Sequence, residues 1–142
     1  MADTRKLARV LRVRTLQYGL AQAAEARARD AHAQESALST RIARLAADVA
    51  PATERGVGFS LAAAAHYRER LHRSAETAAN RVRTAEYEAE RAAEATRSAK
   101  RDQSAIEKLI ARGEAEAALR EIRKLRDAPP TRPTGKIRHD LC

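Results

Sequence analysis

Apolar positions along this chain recur at alternating spacings of three and four, the pattern of a helix that buries one narrow stripe. Two such tracts flank a single break at 51–60, which reads Pro-Ala-Thr-Glu-Arg-Gly-Val-Gly-Phe-Ser. Elsewhere between Thr4 and Asp127 there is no proline, and only two further glycines. The pattern predicts helices over 4–50 and 61–127, a turn over 51–60 and a disordered basic tail over 128–142. Asp3 or Thr4 suits the cap of the first helix and Ser60 that of the second, because their side-chain oxygens accept from free N–H groups. The second helix is expected to stop at Asp127-Ala-Pro-Pro, where proline lacks a donor and disfavours helix in the residue before it.

In the first helix the seam reads Val49, Leu45, Ile42, Leu38, Glu35, Ala31, Ala28, Ala24 and Ala21. Nearer its start the apolar positions widen to Leu7, Val10, Leu11, Val13, Leu16 and Leu20, a stripe broad enough for more than one neighbour. The second helix carries Leu71, Ala75, Ala78, Val82, Ala85, Ala89, Ala92, Thr96, Ala99, Gln103, Ile106 and Ile110. The fold class that follows is all-α: a long antiparallel two-helix coiled-coil hairpin with the second helix longer. If Val49 faces a residue near 61, paired positions add to about 110 and Leu7 stands opposite a residue near 103. In that register Ile106, Leu109, Ile110, Leu119, Ile122 and Leu125 project past the first helix. An apolar stripe left in water over several turns points to a partner protein, to self-association, or to a fold-back near Gly113.

Composition narrows the picture. Most of the 44% hydrophobic fraction is alanine, with no Trp and one Phe, so the packing between the helices is thin. The net charge of +9 is concentrated at two places. Residues 1–49 hold nine Lys/Arg against five Asp/Glu, and residues 120–142 hold seven against three. A hairpin brings both to its open end, with Arg5, Lys6, Arg9 and Arg12 on one side and Arg120, Arg123, Lys124 and Arg126 on the other. Such a tip suits an acidic protein surface, nucleic acid or anionic lipid; it is equally the kind of surface that keeps a chain soluble. Lone Cys142 excludes a disulfide framework and fits a reducing compartment. The arginine-spaced N-terminus has neither a signal peptide's apolar core nor a spanning segment, although a basic amphipathic start is able to touch a membrane surface.

Candidate chemistry is sparse. Gly56-Val57-Gly58 lacks the Gly-Lys-Ser/Thr that cradles a nucleotide. Glu69-Arg70-Leu71-His72 has the Glu-x-x-His spacing of di-iron bundles, but such sites need two copies and two further carboxylates. His66 and His72 fall on different helix faces, and no Ser or Cys has a His partner. No cofactor, metal or small-molecule substrate is expected, and the reading is non-enzymatic. Apolar residues threaded among the basic ones, and the want of an aromatic platform for bases, disfavour nucleic acid.

Two unequal helices with a start of the type KLARVLRVRTLQYGLAQAAEA, followed by HYRERLHRSAETAANRVRTAEYEAE and ATRSAKRDQSAIEKLIARGEAEA, resemble the FliJ family of flagellar export proteins and the related stalk proteins of other type III secretion systems. The resemblance covers residues 5 to about 125 and rests on architecture and scattered positions. It implies a stalk at the inner face of the cell membrane whose open end enters the hexameric export ATPase and promotes its assembly and activity. It also implies links to an export-gate membrane protein and to export chaperones. Leu7, Leu11, Ile106, Leu109, Ile110, Leu119, Ile122 and Leu125 would then face the ATPase, and the family's gate-contacting stripe falls on Tyr67, Leu71, Ser74 and Ala78.

Overall fold

The computed structural model describes residues 2–49 and 58–130; of the turn expected over 51–60, residues 51–57 lie outside the described residues and 58–60 belong to the second helix, and of the tail expected over 128–142, residues 131–142 lie outside them. Helix α1, Ala2–Asp48, has 47 residues and helix α2, Gly58–Asp127, has 70. At 1.5 Å per residue they are about 70 Å and 105 Å long. α1 begins at Ala2 and α2 at Gly58, so Thr4 lies inside the first turn of α1 and not in the capping position expected of it; the side chains of Asp3 and Ser60 lie outside those described. The amide of Val49 donates to the Leu45 carbonyl at 3.2 Å and carries the helical bonding one residue past α1.

The two helices run antiparallel. Arg14 meets Asp102 at 3.1 Å, Gln103 donates to the Thr15 hydroxyl at 3.3 Å, and the Lys100 ammonium lies 5.1 Å from the centre of the Tyr18 ring. Farther along, Leu38 and Ile42 share a groove with Ser74, Thr77 and Ala78. At the other end Leu7 shares one with Ile110.

Burial gives the phase of each helix. On α2 the covered line includes every seam position expected, from Leu71 to Ile110, with Ala64 and Arg68 before them. On α1 it runs Leu7, Leu11, Arg14, Tyr18, Ala21, Glu25, Ala28, His32, Glu35, Ser39, Ile42, Ala46 and Val49. Of the expected α1 seam, Ala21, Ala28, Glu35, Ile42 and Val49 therefore face α2. Ala24, Ala31, Leu38 and Leu45 do not: each is exposed, one position before Glu25, His32, Ser39 and Ala46, which take the inward places. Alanines opposite leave room for these polar stems to lie along the seam while their heads reach outward. Glu25, its side chain largely covered, is met there by Arg29 at 2.5 Å, which reaches in from the exposed side.

Register also differs from expectation. Leu7 is level with Ile110, Leu11 with Ile106 and Val49 with Arg68, a slip of about one heptad from the pairing predicted. The slip places Ile106 and Ile110 against α1, half-buried, instead of beyond it. Core material is scant: Ala78 and Ala85, at 3% and 8% exposed, are the only buried hydrophobic side chains among the described residues.

Candidate interaction surface at the open end

With the seam positions lettered a and d, α2 has Gln103, Ile110, Ala117 and Lys124 at a, and Ile106, Gly113 and Arg120 at d. The apolar seam thus stops at Ile110. Past α1's first residue, from about position 115, α2 continues for some 20 Å with no other described segment beside it. Every described residue from Ala111 to Pro130 is exposed. A groove of about 710 Å³ marks the end of the seam, with Gly113 and Ala117 on its floor and Leu7, Ile110, Arg120 and Lys124 on its walls.

Leu119, Ile122 and Leu125 are 54%, 61% and 76% exposed. They occupy positions c, f and b, the face of α2 that points away from α1. An extension of α1 would not cover them; only a body on the outer side does. Leu109, 47% exposed, stands at g on the flank of the seam and faces a different direction. Of the eight residues expected at an ATPase contact, the structure leaves Leu119, Ile122 and Leu125 as one open stripe. It sets Leu109 apart and turns Leu7, Leu11, Ile106 and Ile110 inward.

The basic residues do converge on this end. Arg5, Lys6, Arg9 and Arg12 are exposed on α1, and Arg120, Arg123, Lys124 and Arg126 on the α2 overhang. Lys124 reaches Glu121 at 2.9 Å, Arg126 is 3.8 Å from Asp127, and the Arg120 side chain donates to the Glu116 carbonyl at 3.3 Å. Pairs this exposed contribute little and yield readily to a partner. Lys124 and Arg126 sit favourably at the negative end of α2's dipole, whereas Arg5 and Lys6 add charge to the positive end of α1. An anionic surface laid on that end relieves the repulsion.

The stripe expected at the export gate does not form one accessible line. Tyr67 is 52% exposed and Ser74 is exposed, both at g, but Leu71 is half-buried in the seam and Ala78 is among the least accessible residues of the chain. Glu69, of the Glu-x-x-His segment, pairs with Arg73 at 2.6 Å. Among the described residues no three His, Cys, Asp or Glu side chains converge as a metal site would require, and no helix is long and apolar enough to cross a membrane. No protein-family model, curated protein or solved structure matches the chain.

Proposed function

We propose that this chain is a non-enzymatic coiled-coil stalk of a flagellar type III export apparatus. Its open end enters the centre of a hexameric export ATPase and promotes ATP hydrolysis, and its shaft links the ring to the export gate and to export chaperones at the inner face of the cell membrane. The observation that carries this reading is the overhang. A rod two helices wide, about 20 Å across, ends in a single helix whose outward face bears Leu119, Ile122 and Leu125 amid Arg120, Arg123, Lys124 and Arg126. A ring lumen surrounds such a helix and covers its outer side, which a lateral partner of the hairpin seam would not. The alanine seam around Ala78 and Ala85 supports the reading too, since small side chains let the helices approach closely and keep the rod narrow. Toward the gate, only the Tyr67 and Ser74 side of the expected stripe is offered while the hairpin is closed.

The test is ATP hydrolysis by the cognate export ATPase with and without the full-length chain. Leu119→Glu with Ile122→Glu is expected to abolish stimulation while helicity by circular dichroism is retained, because both side chains are already in solvent. Stimulation equal to that of the unaltered chain would overturn the assignment.

A further inference from the structure

We propose that one flank of the hairpin, the side carrying positions c and g of both helices, is a docking surface for a third helix: an acidic, amphipathic helix supplied by another protein. The proposal rests on no part of the ATPase reading, since it concerns the shaft and not the tip.

Antiparallel pairing puts the g positions of both helices on one side of the seam and the e positions on the other. The exposed large apolar side chains of the paired region are divided unequally between these sides. Val10, Leu38 and Leu45 of α1 and Leu109 of α2 are at g; Val13 and Leu20 are at c. Their exposures run from 40% for Val10 to 70% for Leu20. On the opposite flank, positions b and e of the paired region hold no exposed large apolar residue among the described residues. There the small side chains Ser36, Ala79 and Ala93 are half-covered, although the leucines on the g side, with far more apolar surface, are left out. α1 therefore carries large apolar side chains at g and c beside the inward a and d positions, where a two-helix coil uses the inward pair alone; apolar surface on that added side is what a helix in contact with two neighbours requires. Two grooves open on this same flank: one of about 340 Å³ at Val10, Val13 and Gln17, and one of about 300 Å³ between Leu38, Ile42, Thr77 and Arg81. Val10 and Leu45 are separated by five heptads, about 50 Å of helix.

Charge identifies the occupant. Over residues 4–49 and 68–113 the c and g positions carry seven basic side chains, Arg27, Arg41, Arg81 and Arg91 among them, against three carboxylates. One of the three, Asp102, is engaged by Arg14, and none of the seven basic groups pairs with a described residue. The b and e flank is nearly balanced, six against five, and two of its cations, Arg29 and Arg97, are already paired. The apolar flank is thus also the flank with uncompensated positive charge. A second copy laid there would set cation against cation, whereas a helix with Glu and Asp beside its own apolar stripe satisfies both features.

The experiment uses the full chain and two synthetic helices of about five heptads, identical at their Leu/Ala core positions and flanked by Glu in one and by Lys in the other. The Glu-flanked helix is expected to bind at least about tenfold more tightly than the Lys-flanked one at low salt. Leu38→Glu with Leu45→Glu is expected to abolish that binding. Ala33→Glu with Ala43→Glu, which adds the same charge on the opposite flank, is expected to retain most of it. Circular dichroism checks that both variants keep their helicity. Equal binding of the two helices, binding of neither, or insensitivity to the Leu38/Leu45 change overturns the proposal. So does a chain that sediments as a dimer and reverts to a monomer in the Leu38/Leu45 variant, which assigns the flank to a second copy instead.

Discussion

Glu35 offers the sharpest test of how the seam is packed. It lies on the inner line of α1, level with Val82, half-buried, and one of its carboxylate oxygens is fully covered without a hydrogen-bond partner. Replacement by leucine removes that unsatisfied acceptor and puts apolar surface in its place. Leaving a buried acceptor unpaired costs about 1–3 kcal/mol; because the rest of Glu35 reaches solvent, the lower figure applies, about 1 kcal/mol. Some 40 Å² of additional apolar contact against Val82 adds about 1 kcal/mol at 25 cal/mol per Å². Glu35→Leu should therefore stabilise the hairpin by about 1.5–2 kcal/mol, raising Tm by roughly 5 °C for a chain of this size. Thermal and urea unfolding followed by far-ultraviolet circular dichroism read the change. As a comparison, His32→Leu, on the inner line, should also stabilise, and Ala31→Leu, one position before it on the exposed flank, should be close to neutral. A Glu35→Leu chain no more stable than the original, or a larger gain from Ala31→Leu than from His32→Leu, would refute this packing.

Two further outcomes follow from the backbone. A methyl group added at Gly113 meets nothing within 4 Å, so Gly113→Ala should stabilise by about 0.5–1 kcal/mol, visible as a higher Tm, by restricting the unfolded chain. With Cys142 replaced by serine, a Leu7→Cys/Ile110→Cys pair should form a disulfide on mild oxidation. A Leu7→Cys/Gln103→Cys pair should not, because a heptad is about 10 Å along the axis and the bond tolerates less than about 7 Å between Cα atoms. The migration of non-reduced chains on denaturing gels distinguishes the two.

Much of this architecture was legible in the sequence, and the parts that were not share one cause. The inner line of α2, from Leu71 to Ile110, could be read from spacing alone because, Leu109 apart, no large aliphatic side chain competes with it over that stretch. In α1 the leucines at 38 and 45 outcompete Ser39 and Ala46 in any hydrophobic reading, yet which line faces α2 is set by how α2 packs against α1, which is not local information. Register was ambiguous for a related reason: a slip of one heptad preserves every inward position, so periodicity cannot detect it. Pairing decides instead. The observed register sets Leu7 and Leu11 against Ile110 and Ile106, where the expected one would have set Leu7 beside Gln103 and left both isoleucines in water. The overhang survives this correction, shortened to the segment beyond about position 115, and Leu119, Ile122 and Leu125 are exposed there. That they face outward, on c, f and b, follows only once the inner line is known.

The role of the overhang is tested most directly by a photoreactive residue placed singly at Ile122 and, as a control, at Tyr87 on the outer face of the shaft, which is 66% exposed. In the presence of the hexameric export ATPase and nucleotide, the probe at 122 should cross-link to ATPase subunits and the probe at 87 should not. Equal capture at both positions, or capture at 87 alone, would contradict the assignment of the open end as the part that enters the ring.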